Sequence, residues 1–191
     1  MKKIPTIFVR DFVCNPSLVT DEVNIEARWV FDGEGIATRK YDGTCVLFDG
    51  QFHKRHELKP SKVAPPLWVP ADEVDPKTGK QQGWLPIGNG PEDKYFREAV
   101  NLTHPINAFS FEEGTYELVG PKIQGGIESD FSTHCLVLHK NAETYEDCPR
   151  TFNELREWLA DKNIEGIVWH HPDGRMAKIK LKDLGLKRKM I

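Results

Sequence analysis

The tetrapeptide Lys40-Tyr41-Asp42-Gly43 sits inside IATRKYDGTCVLFD, residues 36–49, where a β-type run meets an Asp-Gly dipeptide and a second β-type run leaves it. Asp-Gly between two such runs predicts a hairpin. A lysine at the end of a strand beside a tight turn is either an exposed edge charge or a nucleophile. An amine is nucleophilic only without its extra proton, and an unperturbed lysine holds that proton up to about pH 10.4. Desolvation and neighbouring positive charge lower that value, and a lysine tuned this way is a known kind of nucleophile.

Lys40 has candidate partners further along. Glu117 lies in GTYELVG, 77 residues on; Glu165 opens Glu-Gly-Ile-Val after another 48; Lys178-Ile179-Lys180 begins 13 residues after Glu165. All fall on predicted strands or strand ends. Lys178 and Lys180 alternate along one strand and so share a face. Taken singly, each has a plainer reading: Asp42-Gly43 as a turn, the acids as strand ends, the lysines as the solvent side of an edge strand. All together, in this order, those plainer readings are improbable.

The ordered set, K-x-D-G, an acid within a strand, E-G-I-V and K-x-K, resembles that of the covalent nucleotidyltransferases: ATP-dependent DNA and RNA ligases and mRNA capping enzymes. Within them the chain looks closest to the small RNA-ligase branch that includes the vertebrate 5′-3′ RNA ligase. GWLPI (83–87), ELVG (117–120), EGIVWH (165–170) and DGRMAKIKLKDLGL (173–186) carry the likeness, which runs from about residue 30 to 186. The resemblance implies a ligase-type nucleotidyltransferase domain, an ATP-dependent RNA ligase joining 5′-phosphate and 3′-hydroxyl ends in RNA repair. Lys40 would attack the α-phosphate of ATP to give lysyl-AMP, and the adenylate would then pass to the RNA 5′-phosphate. Lys178 and Lys180 would contact the α-phosphate, Glu117 a ribose hydroxyl, and Arg55, in FHKRHEL, the nucleotide or the RNA end. Glu165 would hold Mg2+ (or Mn2+). Asp42 either fixes the turn or assists the later steps. His134 and aromatic residues near the site are candidates to stack on adenine. Only eleven residues follow Lys180, too few for a C-terminal OB-fold. That counts against two alternatives of the same chemistry, a capping-type guanylyltransferase and a DNA ligase core. An inactive nucleic-acid-binding relative is a third alternative, and the intact lysine and acid set counts against it.

These residues need strands to present them. Strand-like runs fall near 4–12, 24–31, 36–41, 44–49, 84–88, 114–119, 134–139, 164–170 and 175–181. PEDKYFREAVN (91–101) begins with proline and acids, as a first helical turn does. TFNELREWLADKN (151–163) opens with Thr151 and Glu154 in capping-box spacing, and Phe152, Leu155 and Leu159 make one apolar face. Between the paired strands lies a stretch, 59–93, with seven of the thirteen prolines. His170-His171 precedes Pro-Asp-Gly in a second expected hairpin, and adjacent strand residues face opposite ways, which disfavours a shared metal. The pattern predicts one α+β domain of mostly antiparallel sheets with flanking helices, and the resemblance implies that it is a single nucleotidyltransferase domain over 1–191.

Composition sets outer bounds. The chain is 39% hydrophobic and 29% charged, an ordinary globular mixture. No apolar run reaches the roughly 18 residues of a membrane span, and MKKIPTIFVRDF lacks a signal-peptide core. Cys14, Cys45, Cys135 and Cys148 form no CxxC pair, and free thiols suit a cytoplasmic protein. No GxxxxGK[ST] supports P-loop chemistry. Net charge is −3, yet residues 178–191 carry six basic residues against Asp183, leaving −8 on the other 177. The basic end at 182–189 and the proline-rich stretch are the expected RNA contacts, in a monomer.

Overall fold

In the computed structural model, residues 3–103 and 111–189 are described. The chain forms two compact units: a central one from Met1–Lys3 and Asp42–Asn141, and a terminal one from Ile4–Tyr41 and Ala142–Ile191. In chain order, strands β1 (Phe8–Asp11), β2 (Asn15–Val23) and β3 (Ile36–Lys40) and helix α1 (Arg28–Phe31) belong to the terminal unit. Strands β4 (Thr44–Phe48), β5 (Phe52–Leu58), β6 (Val69–Pro70), β7 (Gln81–Pro86), β8 (Gly114–Val119) and β9 (Cys135–Leu138), with helix α2 (Lys94–Thr103), build the central unit. Helix α3 (Phe152–Ala160) and strands β10 (Gly166–His170) and β11 (Met176–Lys180) return to the terminal one. The expected α+β class with mostly antiparallel sheets and flanking helices is what the chain adopts.

The terminal unit holds a three-stranded antiparallel sheet in the order β11-β10-β3, and a two-stranded β1-β2 ribbon. Its core lies on one face of the larger sheet, where Ala37, Ile167, Trp169, Ala177 and Ile179 meet Phe8, Leu155 and Leu159. The apolar face expected of 151–163 is real: Leu155 and Leu159 are fully buried. Thr151 hydrogen-bonds the Glu154 side chain at 2.6 Å and makes no side-chain bond to the helix backbone, so the capping box is not closed. The expected strand at 24–31 is instead a 310 turn, Ile25–Ala27, running into α1. Local capping decides this. Asn24 accepts from the Glu26 N–H at 3.1 Å, and Arg150 takes the carbonyls of Val30, Glu34 and Gly35 at the far end.

The central unit is one six-stranded antiparallel sheet, β6-β7-β5-β4-β8-β9. Val46, Tyr116, Leu118 and Leu136 are buried with Ala99 of α2, and Phe48, Phe52, Phe96 and Phe111 pack around them. FHKRHEL forms β5, and β2 and β5 are strands that no alternation in the sequence announced. The proline-rich stretch keeps one short strand, β6, and the whole of β7.

The first expected hairpin does not form. β3 pairs with β10, while β4 pairs with β5 and β8. A two-residue type I′ turn needs positive φ at both central residues, and neither Asp42 nor Gly43 has it. The dipeptide is where the chain passes from one sheet to another. The second expected hairpin does form, β10 to β11, through Asp173-Gly174 with Gly174 at φ 91°. No helix of the described residues is long and apolar enough to cross a membrane, and the four cysteines are free thiols.

Candidate functional site

The candidate residues fall into two clusters, one in each unit. In the terminal unit, sheet register builds the first. Gly166 of β10 lies opposite Lys40 on one side and Lys180 on the other. Val168 lies likewise between Thr38 and Lys178. The period of two then puts Lys40, Lys178 and Lys180 on the face opposite the core. Gly166 has no side chain to intervene, and it can have none: a Cβ there would stand 2.1 Å from the Ile179 carbonyl oxygen.

Glu165, just before β10, is 8% exposed. One oxygen takes the Lys40 ammonium at 2.6 Å, and the other takes the Lys180 ammonium. Burial pushes the Glu165 carboxyl up, but the charges of Lys40 and Lys180 outweigh it and hold its pKa below the usual carboxylate value. Lys180 is fixed from behind as well, because its N–H donates to Asp183 at 3.0 Å and Asp183 is ion-paired with Arg10 at 2.9 Å. Burial pushes the Lys178 ammonium down to about 8, the like charges of Lys180 and Lys40 add to this, and Glu165 and Asp183 oppose it. Three amines and one carboxylate on one sheet face make an anion site whose occupant would be balanced by net positive charge.

In the central unit, Glu117 of β8 is buried and its carboxylate is fully oriented. One oxygen accepts from the Gly43 N–H at 3.1 Å and the other lies 3.0 Å from His139 Nε2. The Asp42 N–H donates to Glu128 at 2.8 Å, and Glu128 is 2% exposed. Two buried acids therefore grip the two residues that follow Tyr41. Gly43 lies so close to β8 that a Cβ would stand 2.2 Å from the Leu118 carbonyl oxygen. Arg55 of β5 donates to Gln82 at 3.1 Å, and its guanidinium lies 5.6 Å from the Trp84 ring centre.

The structure thus joins Lys40, Glu165 and Lys180 by direct bonds and brings Lys178 into the same electrostatic group. It ties Glu117 to the residue after Asp42. Arg55 has its own partners. Glu128 and His139 were not legible in the sequence: each lies in a segment without a motif, and only the fold brings them to Asp42 and to Glu117. His134 is buried against Tyr95, ring centres 4.5 Å apart, with Nδ1 2.9 Å from Glu98. His170 meets Thr38 at 3.1 Å, while His171 lies between Glu34 at 2.5 Å and Asp173 at 2.7 Å, so the two rings go to different partners.

Among the described residues no three His, Cys, Asp or Glu side chains converge as a metal cage. Glu165 is a single acid. Magnesium in nucleotide sites is commonly held by one or two carboxylates together with phosphate oxygens and water, and Glu165 fits that use.

The chain matches the family model described as RNA ligase 1 over residues 98–190, which include Glu117, Glu165, Lys178 and Lys180. It is 26% identical to RNA ligase 1 of Mus musculus, over 97% of this chain and 80% of that protein. It is 25% identical to RNA ligase 1 of Rattus norvegicus, over 97% of this chain and 81% of that protein. Those two alignments span nearly the whole chain and therefore extend beyond the segment that the family model matches.

Proposed function

From its relatedness to the RNA ligase 1 proteins, we propose that this chain is an ATP-dependent RNA ligase working through a lysyl-AMP intermediate, its residues 1–191 acting as one nucleotidyltransferase domain. The observation that carries the reading is the Lys40–Glu165–Lys180 cluster with Lys178 on the same sheet face. Lys40 Nζ attacks the α-phosphorus of ATP, a P–N bond forms, and the bond to pyrophosphate breaks. The RNA 5′-phosphate then takes the adenylate and frees Lys40, and an RNA 3′-hydroxyl displaces AMP to close the strand. Phosphoryl transfer asks the protein mainly for position and charge compensation.

The chain's own residues supply both. Lys178 and Lys180 neutralise the α-phosphate as charge builds on it. Lys40 is held in an ion pair, the arrangement of an ammonium, and must lose its proton and leave Glu165 before it attacks. Glu117 accepts from a ribose hydroxyl, and Arg55 meets the nucleotide or the RNA 5′-phosphate. Asp42 fixes the chain where it leaves β3 or assists the later steps. Glu165 would hold Mg2+ or Mn2+, which would offset the negative charge of the triphosphate. The basic residues at 182–189 and the 59–93 stretch are the proposed RNA contacts.

The test is to incubate the protein with Mg2+ and each α-labelled nucleoside triphosphate and to look for label on the denatured chain. Label from ATP alone that is lost in Lys40→Ala supports the reading. Label only from GTP would make it a capping-type enzyme. No label on a folded wild-type chain would remove the enzyme assignment.

A further inference from the structure

The Glu117 contacts form a relay that none of the assigned roles explains. β8 and β9 pair in register with Tyr116 opposite Leu138 and Glu117 opposite Val137. One residue further, His139 opens a 310 turn. There its Nε2 lies 3.0 Å from Glu117 Oε2, and its Nδ1 lies 2.9 Å from Thr115 Oγ1. An ionised carboxylate only accepts hydrogen bonds, so Nε2 must carry the hydrogen that binds Glu117. Nδ1 can then accept from the Thr115 hydroxyl, or donate to it if the ring is charged. Either way the bond to Glu117 stands, because a threonine hydroxyl serves both roles.

The opposite oxygen of Glu117 accepts from the Gly43 N–H. The carboxylate is thus pinned on both sides, by a ring on one and by backbone on the other. Two bonds leave acceptor capacity on an ionised carboxylate, which has about four lone-pair directions. A buried acid without such partners would be costly to keep charged, and it would be free to rotate.

We infer that His139 is a positioning residue, held by Thr115, that fixes the Glu117 carboxylate in the orientation that receives the nucleotide's ribose hydroxyl, and so sets the preference for a ribonucleotide over a deoxyribonucleotide. This rests on the nucleotide-binding reading above. His139 itself touches no substrate. Its effect is to have paid the ordering of Glu117 before the sugar arrives, which is how a supporting residue sharpens a polar contact.

The experiment measures the rate of lysyl-adenylate formation with ATP, 2′-deoxy-ATP and 3′-deoxy-ATP in wild type, His139→Ala, His139→Gln, Thr115→Val, Glu117→Ala and the Glu117→Ala/His139→Ala double variant. His139→Ala should lower the ATP rate by about 10-fold or more, change the rate with at least one deoxy analogue far less, and so collapse the ratio between them. His139→Gln, which keeps an N–H, should restore part of that ratio, and the double variant should be no worse than Glu117→Ala alone. Should His139→Ala fail to fold, Thr115→Val gives the same comparison in milder form. An unchanged ratio for both deoxy analogues in the folded variants would overturn the inference while leaving the ligase reading intact. Absence of any adduct in wild type would instead overturn the ligase reading, and this inference with it.

Discussion

Lys178 is a half-buried cation beside two other cations, and its protein environment disfavours its charge. Its pKa is pushed down to about 8, whereas an unfolded lysine titrates near 10.5. Between those values the unfolded chain binds more protons than the folded one, so the stability contributed by this group rises with pH across that window. Below it both states are charged, and the folded chain bears the whole cost of burial. Lys178→Met should therefore stabilise the protein most at about pH 7 and progressively less toward about pH 10. Urea midpoints of wild type and variant at the two ends of that range check this, and a gap that does not shrink would refute it. Glu165 runs in the same direction with pH but as a favoured charge, not a penalised one. Its lowered pKa gives stability that is present above the ordinary carboxylate value and lost as pH falls through the folded one. The same unfavourable charge at Lys178 is what a bound anion would relieve.

At the scale of elements, two glycines do more than make turns. Gly166 lets β10 lie against β11 where a Cβ would strike the Ile179 carbonyl, and Gly43 lets the chain press against β8 where a Cβ would strike the Leu118 carbonyl. In both cases the obstacle is backbone, which cannot swing aside as a side chain can. Gly166→Ala should cost about 1–3 kcal/mol or more, as overpacking does, and should disturb the register that sets Lys40 and Lys180 on either side of Gly166. Thermal unfolding together with adduct formation measures both effects, and a variant that melts and labels like wild type would contradict the expectation. In sequence the Asp-Gly pair signals a turn. Its glycine serves close approach instead, a requirement that sequence spacing does not reveal because the obstacle lies about 75 residues away.

At the scale of the molecule, the chain supports two apolar cores, one per unit. The central unit comes almost wholly from one continuous stretch, while the terminal unit must join segments from both sides of it. Its β3–β10 pairing brings Lys40 to Gly166 across more than a hundred residues. Long closures are slow because their entropy is lost before contacts repay it. Backbone amides of β4 and β8 should thus gain protection before those of β3 and β10 in pulse-labelled hydrogen exchange during refolding. Simultaneous protection, or the reverse order, would count against this.

Periodicity in TYELV and AKIKL marked β8 and β11 because alternate burial of side chains is written along the strand itself. Leu155 and Leu159 revealed the buried face of α3 for the equivalent reason at helical spacing. The order of Lys40, Glu117, Glu165, Lys178 and Lys180 was enough to single them out as candidates, and the structure bonds Lys40 and Lys180 to Glu165. Sequence alone did not decide which strand β3 would pair with, that 24–31 would be helical, or that Glu128 would grip Asp42 and His139 would grip Glu117. Those outcomes depend on backbone groups and side chains far apart in the chain. Local propensity carries no information about them, and only the packed sheets bring them within hydrogen-bonding distance.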